Sequence, residues 1–160
     1  MEALVNTLDL ESGADRLDTA EGRAAFGLAE VPAEEELAQA RELREALRVV
    51  CLAHAGHPPH REVTPLGELL ARAHLLVTVD PTDGSAALAP ADSAPGLRSR
   101  VALAVAEALA AGTWLRLKAC ELPTCHWAYY DRSPAGRGRW CDMQVCGSRA
   151  KMRAYRARKS

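Results

Sequence analysis

Four of the five cysteines fall within 27 residues, as Cys120-x4-Cys125, a 15-residue gap, then Cys141-x4-Cys146. Two close pairs joined by a short loop are the layout of a four-thiolate zinc site. Each pair delivers two sulfurs from one turn, and the loop brings the pairs together. Three other chemistries compete. Two disulfides would suit an oxidising compartment, but the odd cysteine, Cys51, stands alone in an apolar stretch and the chain reads as cytoplasmic. A redox switch favours a tighter C-x-x-C pair. A catalytic zinc keeps one position open for water, and four thiolates leave none. The reading is one structural Zn2+ held by Cys120, Cys125, Cys141 and Cys146. His126 follows Cys125 and is a substitute ligand that four cysteines make unnecessary.

The residues around these cysteines are basic. From Lys118 to Ser160 ten Lys or Arg stand against Glu121, Asp131 and Asp142, a net +7, while the first 117 residues carry a net −8. Such a tail predicts a polyanionic partner, most simply duplex DNA. Charge alone fits a solvated basic helix equally well. On a 3.6-residue period Arg149, Arg153 and Arg156 share one face, and Lys151, Arg158 and Lys159 broaden it. Arg137 and Arg139, in the preceding loop, would add phosphate contacts. Met152 and Tyr155 lie on a neighbouring stripe and are expected to pack on Trp127 or Trp140. For each tryptophan, core filling is the expected role.

The elements that must position these residues follow from pattern. Leu115, Leu117 and Ala119 alternate with Arg116 and Lys118, predicting a strand into Cys120. Residues Trp127 to Tyr130 read as the return strand, Asp131 to Arg139 as a polar loop, and Cys146 to Lys159 as a helix. The C-terminal part is thus a hairpin-loop-helix, treble-clef-like finger in which zinc joins the hairpin to the helix start. Upstream, Asp18-Thr19-Ala20-Glu21 resembles a capping box for a helix to about Ala29. Pro32 suits the first position of the clearest helix, with Leu37, Ala40, Leu43, Leu47, Val50 and Cys51 on one face and Gly56 at its end. Thr64-Pro65 opens a short helix with Leu66, Leu69 and Leu70 inward. Leu75 to Val79 and Ser85 to Ala89 read as a hairpin about the turn Asp80 to Gly84. Leu97, Val101, Val105, Ala108 and Leu109 mark a second long helix that Gly112 closes. The fold class is α+β: a helix-dominated N-terminal domain with a small β-hairpin over residues 1–112, and the finger over 113–160.

His54, His57 and His60 form a histidine-rich segment. Gly56, Pro58 and Pro59 deny the three rings one helical face, so the segment reads as a solvent loop rather than a metal site.

Composition sets the remaining bounds. Hydrophobic residues at 48% and charged residues at 26% describe a folded chain rather than a disordered one. No apolar run reaches the roughly 18 residues a membrane helix needs. Met1-Glu2-Ala3 lacks the basic start of a signal peptide. No nucleophile–base pair, phosphate-binding glycine loop or dinucleotide fingerprint is visible in the first 117 residues, so the chain reads as a non-enzyme. Their role is to bind a small-molecule effector, to form a homodimer, or to hold an acidic surface against the basic helix.

The segment Trp140-Cys141-Asp142-Met143-Gln144-Val145-Cys146-Gly147-Ser148-Arg149-Ala150-Lys151, with Tyr155-Arg156-Ala157-Arg158, resembles the CGNR zinc finger family. Arg116 to Cys120 and Cys125 to Asp131 fit the same module. Members carry an upstream domain known as ABATE, whose start Val5-Asn6-Thr7-Leu8 resembles, and the family is regarded as stress-induced transcription regulators. The resemblance implies a zinc-dependent DNA-binding regulator of transcription. The alternative is a zinc-stapled module that grips RNA or an acidic protein without reading DNA sequence. One residue departs from the family pattern: Ser148 stands where the family name has Asn. A hydroxyl cannot reproduce the two-point pattern of an amide, so DNA preference changes if that position reads a base. If it only caps a turn, Ser serves nearly as well.

Overall fold

The computed structural model describes residues 1–159. The order is α1 (Glu2–Val5), α2 (Ala20–Ala24), α3 (Glu34–His54), α4 (Leu66–Leu70), β1 (Leu75–Val79), β2 (Ala86–Pro90), α5 (Leu97–Ala110), β3 (Leu117–Ala119), β4 (Ala128–Tyr130) and α6 (Ser148–Ala157). The class is α+β, with two separate antiparallel hairpins. In the first, Leu75 pairs with Pro90 and Val79 with Ala86. In the second, Leu117 pairs with Tyr130 and Ala119 with Ala128. Among the described residues no helix is long and apolar enough to cross a membrane.

Several boundaries differ from the sequence expectation. The capping residue before α2 is Thr19, whose Oγ1 accepts from Gly22 N at 3.0 Å, and the helix ends at Ala24 rather than near Ala29. Pro32 lies before α3 rather than at its first turn; Ala33 is its N-cap. Gly56 and Gly112, both at positive φ, end α3 and α5 as expected. The last helix begins only at Ser148, because Met143–Gly147 forms a wider π-helical turn.

The hydrophobic core forms around α3. Leu43, Ala46, Leu47, Cys51 and Leu52 pack with Leu4 and Val5 of α1, Leu66 of α4 and Val101 of α5. The same cluster includes Leu117 and Ala119 of β3 and Ala128 of β4. The finger's hairpin therefore shares its core with the N-terminal helices. Burial of Cys51 pushes its thiol up to about 12, so it is inert packing.

The middle of α3 is covered on its polar side too. Arg44, Glu45 and Arg48 are buried. Arg44 Nη1 pairs with Asp15 at 2.7 Å and its Nε with Glu45 at 2.8 Å. Arg48 Nε reaches Glu45 at 3.1 Å, while its two terminal nitrogens donate to the carbonyls of His126, at 2.9 Å, and Val5, at 2.8 Å. Burial opposes ionisation of Glu45. Hydrogen bonding from His60 and the charges of Arg48 and Arg44 outweigh it and hold the carboxyl at about 2. One guanidinium thus ties α3, α1 and the first cysteine turn together.

Candidate metal centre and nucleic-acid interface

The first pair of sulfurs is set by the second hairpin. Cys120 follows β3 directly and its N–H donates to Trp127 O at 2.9 Å. The chain then turns tightly, with Cys125 N donating to Leu122 O at 2.8 Å. The second pair is set by the π turn. The Asp142 carboxylate accepts from Val145 N at 2.8 Å, and its carbonyl accepts from Cys146 N at 3.0 Å and Gly147 N at 3.1 Å. A Cβ at 147 would meet Met143 Sδ at 2.6 Å and Trp140 Cδ1 at 3.2 Å, so a larger residue there displaces the Met143 side chain that covers the turn. The two halves are joined by Glu121 N, which donates to Arg139 O at 2.9 Å.

The four sulfurs all lie within 4.8 Å of one another. Cys125 and Cys141 are separated by 3.6 Å, and Cys141 and Cys146 by 3.7 Å. A tetrahedron with zinc–sulfur bonds of about 2.3 Å has sulfur–sulfur edges of about 3.8 Å. The fit is direct, and the four cysteines form a zinc-binding site with no position left for water. Electrostatics agree. Hydrogen bonds from Cys125 and Cys141 let Cys120 ionise first, and that thiolate then holds the Cys141 proton on far more tightly. A central divalent cation removes this conflict and lets every thiol ionise.

The strand into Cys120 departs from the expected alternation. All three residues of β3 are buried, Lys118 included, while Leu115 is exposed. Lys118 Nζ donates to Asp131 Oδ2 at 2.9 Å across the hairpin. Asp131 is no solvent-loop residue either. It also accepts from Ser133 N at 3.0 Å and Gly138 N at 2.8 Å. Burial opposes its ionisation, but these donors hold the carboxyl well below the usual carboxylate range. The loop from Asp131 to Arg139 is thereby folded around one carboxylate. Tyr129 Oη closes it with a 2.7 Å hydrogen bond to Gly138 O.

The basic residues fall into two groups. Arg137, Lys151, Arg153, Arg156, Arg158 and Lys159 are exposed, and so is the neighbouring hydroxyl residue Ser148. Lys159 Nζ lies 4.8 Å from the Tyr155 ring centre. Two others are engaged by acids. Arg139 forks onto Glu121 and lies over the Trp140 ring at 5.2 Å. Arg149 Nη1 meets both carboxylate oxygens of Glu11, at 3.0 and 2.8 Å, linking α6 to the N-terminal segment. Ser148 opens α6, but the turn before it is capped by Asp142.

Met152 and Tyr155, expected to pack on Trp127 or Trp140, are 52% and 47% exposed, so neither is a core residue. Ala150, Ala154 and Ala157 instead line a groove with Leu122, Pro123 and Trp140. At about 100° per residue, Met152 and Tyr155 point roughly opposite that alanine stripe. Trp127, at 39%, is also partly open, whereas Trp140 packs against the cluster of Cys120, Leu122 and Cys146.

The histidine-rich segment is not a solvent loop. His54 Nδ1 lies 2.8 Å from Leu117 O, and the ring meets Trp114 edge-on at 4.9 Å. His60 Nε2 lies 3.0 Å from Glu45 Oε2. Its ring meets that of His126, which burial disfavours from protonation. These contacts span α3 and the finger, so no local spacing discloses them. Asn6 is the other residue whose role sequence reasoning leaves open: it bonds to the backbone of Ala128 in β4.

Residues 2–112 match the ABATE family, whose description is "Putative stress-induced transcription regulator". Residues 116–159 match the CGNR zinc finger. Among curated proteins nothing matches the chain.

Proposed function

The chain belongs to the ABATE family and carries a CGNR zinc finger, and on that premise we propose that it is a cytoplasmic, non-enzymatic transcription regulator that binds duplex DNA through α6. One observation carries the reading. Next to the zinc-binding site, residues 148–159 present Arg149, Lys151, Arg153, Arg156, Arg158 and Lys159 with no acidic residue among them. The π turn fixes this helix to the second cysteine pair, so its cations project from a rigid base. A helix of this size and charge fits a major groove, and phosphate contacts supply most of its affinity. A zinc site of four thiolates suits a reducing compartment.

The N-terminal part has the features of a sensing unit. A cavity of about 330 Å3 opens among α3, α4 and α5, with Leu28, Leu43, Leu69 and Leu97 in its wall and Arg72 and Asp92 beside them. That volume suits a small-molecule effector. The Arg149–Glu11 pair supplies a contact through which the acidic half can restrain the basic helix. Homodimerisation would pair two half-sites on DNA.

The test is selection from a random duplex library with zinc-loaded protein at physiological salt, using a four-Cys→Ser control. An enriched motif that the control loses supports the reading. A folded, zinc-loaded protein that enriches nothing counts against it and favours a protein-directed module. Exposed Met152 and Tyr155 beside the cations are what favour that second reading.

A further inference from the structure

The cavity among α3, α4 and α5 changes character from mouth to floor. Glu36, Gln39, Ala40 and Leu43 recur at helical spacing, so they run down one face of α3. Glu36 and Gln39 are exposed, whereas Ala40 and Leu43 are buried. Leu28, also buried, clusters with Ala40, and Leu97 of α5 packs against them. The depth of the cavity is therefore apolar and its mouth is charged. At about 330 Å3 it lies at the small end of ligand sites, which run from about 300 to 1,000 Å3.

The polar groups at the mouth differ in whether the chain already answers them. Asp92 Oδ2 accepts from the Oγ of Ser99, a buried residue of the first turn of α5, at 3.2 Å. Glu36 stands in the first turn of α3, where the helix dipole favours an acid. Gln39 Nε2 donates to Glu35 at 3.1 Å. Arg72 and Arg98 are different. Among the described residues neither guanidinium has a hydrogen bond or a carboxylate within ion-pairing distance. Arg98 is moreover half-buried, so its five N–H donors sit at the edge of an apolar wall with no acceptor from the chain. The turn of α5 that carries Arg98 contains no acidic residue, and its cap, Gly96, offers no side-chain acceptor. The charge left over at the mouth is positive.

We infer that this cavity takes an amphipathic monocarboxylate, with its apolar chain against Leu28, Leu43, Leu69 and Leu97 and its carboxylate on Arg72 and Arg98. The inference rests on the effector reading above and gives that effector its chemical class. A carboxylate is the planar two-oxygen acceptor that a guanidinium fork matches. A neutral ligand leaves both guanidiniums unanswered. A phosphate carries more negative charge and is opposed by Glu36 and Asp92 at the same mouth. One negative charge on an apolar body satisfies the cations and fills the floor.

Calorimetric titration of the full, zinc-loaded chain with octanoate, octanol and octylamine tests the class, because the three probes share a chain and differ in charge. Octanoate is expected to bind about tenfold tighter than octanol, and octylamine more weakly than either. Arg72→Gln and Arg98→Gln should each weaken octanoate about three- to tenfold and leave octanol unchanged. Neither arginine has a partner to lose, so both variants are expected to fold, with unchanged circular dichroism. Octanol or octylamine bound as tightly as octanoate would overturn the class and still leave an effector site in the cavity. Octanoate affinity unmoved in both variants would put the acid elsewhere on the chain and overturn the assignment. Binding of none of the three would overturn the class and the effector reading of this cavity together.

Discussion

Asn6 and Ala128 are joined by two hydrogen bonds in opposite directions: Asn6 Nδ2 donates to Ala128 O at 2.9 Å, and Ala128 N donates to Asn6 Oδ1 at 2.7 Å. A side-chain amide here takes the place of a neighbouring strand beside β4. Ala128 itself is buried, so neither of its backbone groups has water to turn to.

Asn6→Ala is therefore expected to destabilise the whole chain by about 2–3 kcal/mol, because two buried backbone groups lose their partners. Asn6→Asp keeps the acceptor and loses the donor, and should fall between. Urea unfolding monitored by circular dichroism measures both. An Asn6→Ala midpoint equal to that of the wild type would show that the double bond contributes nothing.

Zinc removal should be felt far from the sulfurs. β3 and β4 contribute Leu117, Ala119 and Ala128 to the cluster that surrounds α3. Chelation is expected to lower the melting temperature of the entire helical signal in one transition, since zinc binding by thiolates is folding free energy. A separate finger transition, with the helical signal melting as before, would show that the two halves are uncoupled.

The acid limb of stability should report Glu45. Its folded carboxyl is depressed to about 2, so its contribution is fully present above the unfolded value of about 4.3 and is lost as pH falls through the folded one. The size is about 2–3 kcal/mol, from the width of that window. The stability difference between wild type and Glu45→Gln should thus narrow steadily between about pH 4 and pH 2. Denaturant midpoints at several pH values check it; a constant difference would remove Glu45 from the acid response.

Releasing Arg149 should strengthen DNA binding. The pair with Glu11 is 49% and 58% exposed, so solvent and salt screen it and it restrains Arg149 only weakly. Glu11→Gln is expected to tighten binding about two- to fivefold at low salt, with less gain at high salt. Arg149→Ala should weaken specific binding more than Lys159→Ala, which removes a cation from the distal end of the helix. A gel-shift series in which both losses are equal would contradict that ordering.

Local signals made much of this arrangement legible. The cysteine pairs declare themselves because each pair is one turn, and both turns form as the spacing requires. Leu75 to Val79 reads as a strand because branched residues end at a turn-forming Asp80 to Gly84, and β1 has those bounds. Lys118 misleads because alternation sees only its own strand, whereas Asp131, which neutralises it, arrives across the hairpin. The histidines mislead for the same reason. Gly56, Pro58 and Pro59 show that His57 and His60 cannot share a helix face, but they are silent about His126, brought beside His60 by the fold. Met152 and Tyr155 look like packing residues by type. Their direction was set by Ala150, Ala154 and Ala157, whose small side chains let α6 face the groove beside Trp140.

The π turn at Met143–Gly147 gives α6 a compass bearing. The turn closes with Gly147 N on Asp142 O, one residue more than an α-turn holds. Each residue of a helix rotates the next by about 100°. Deleting Gln144 would shorten the step from Cys141 to Cys146 and, with both sulfurs held at the metal, change the direction in which Arg149, Arg153 and Arg156 leave the site. Insertions and deletions in this short segment therefore act as a phase dial. They re-aim the cationic face relative to the metal without altering a single residue on it, a route by which chains with the same finger and the same helix can come to address different surfaces.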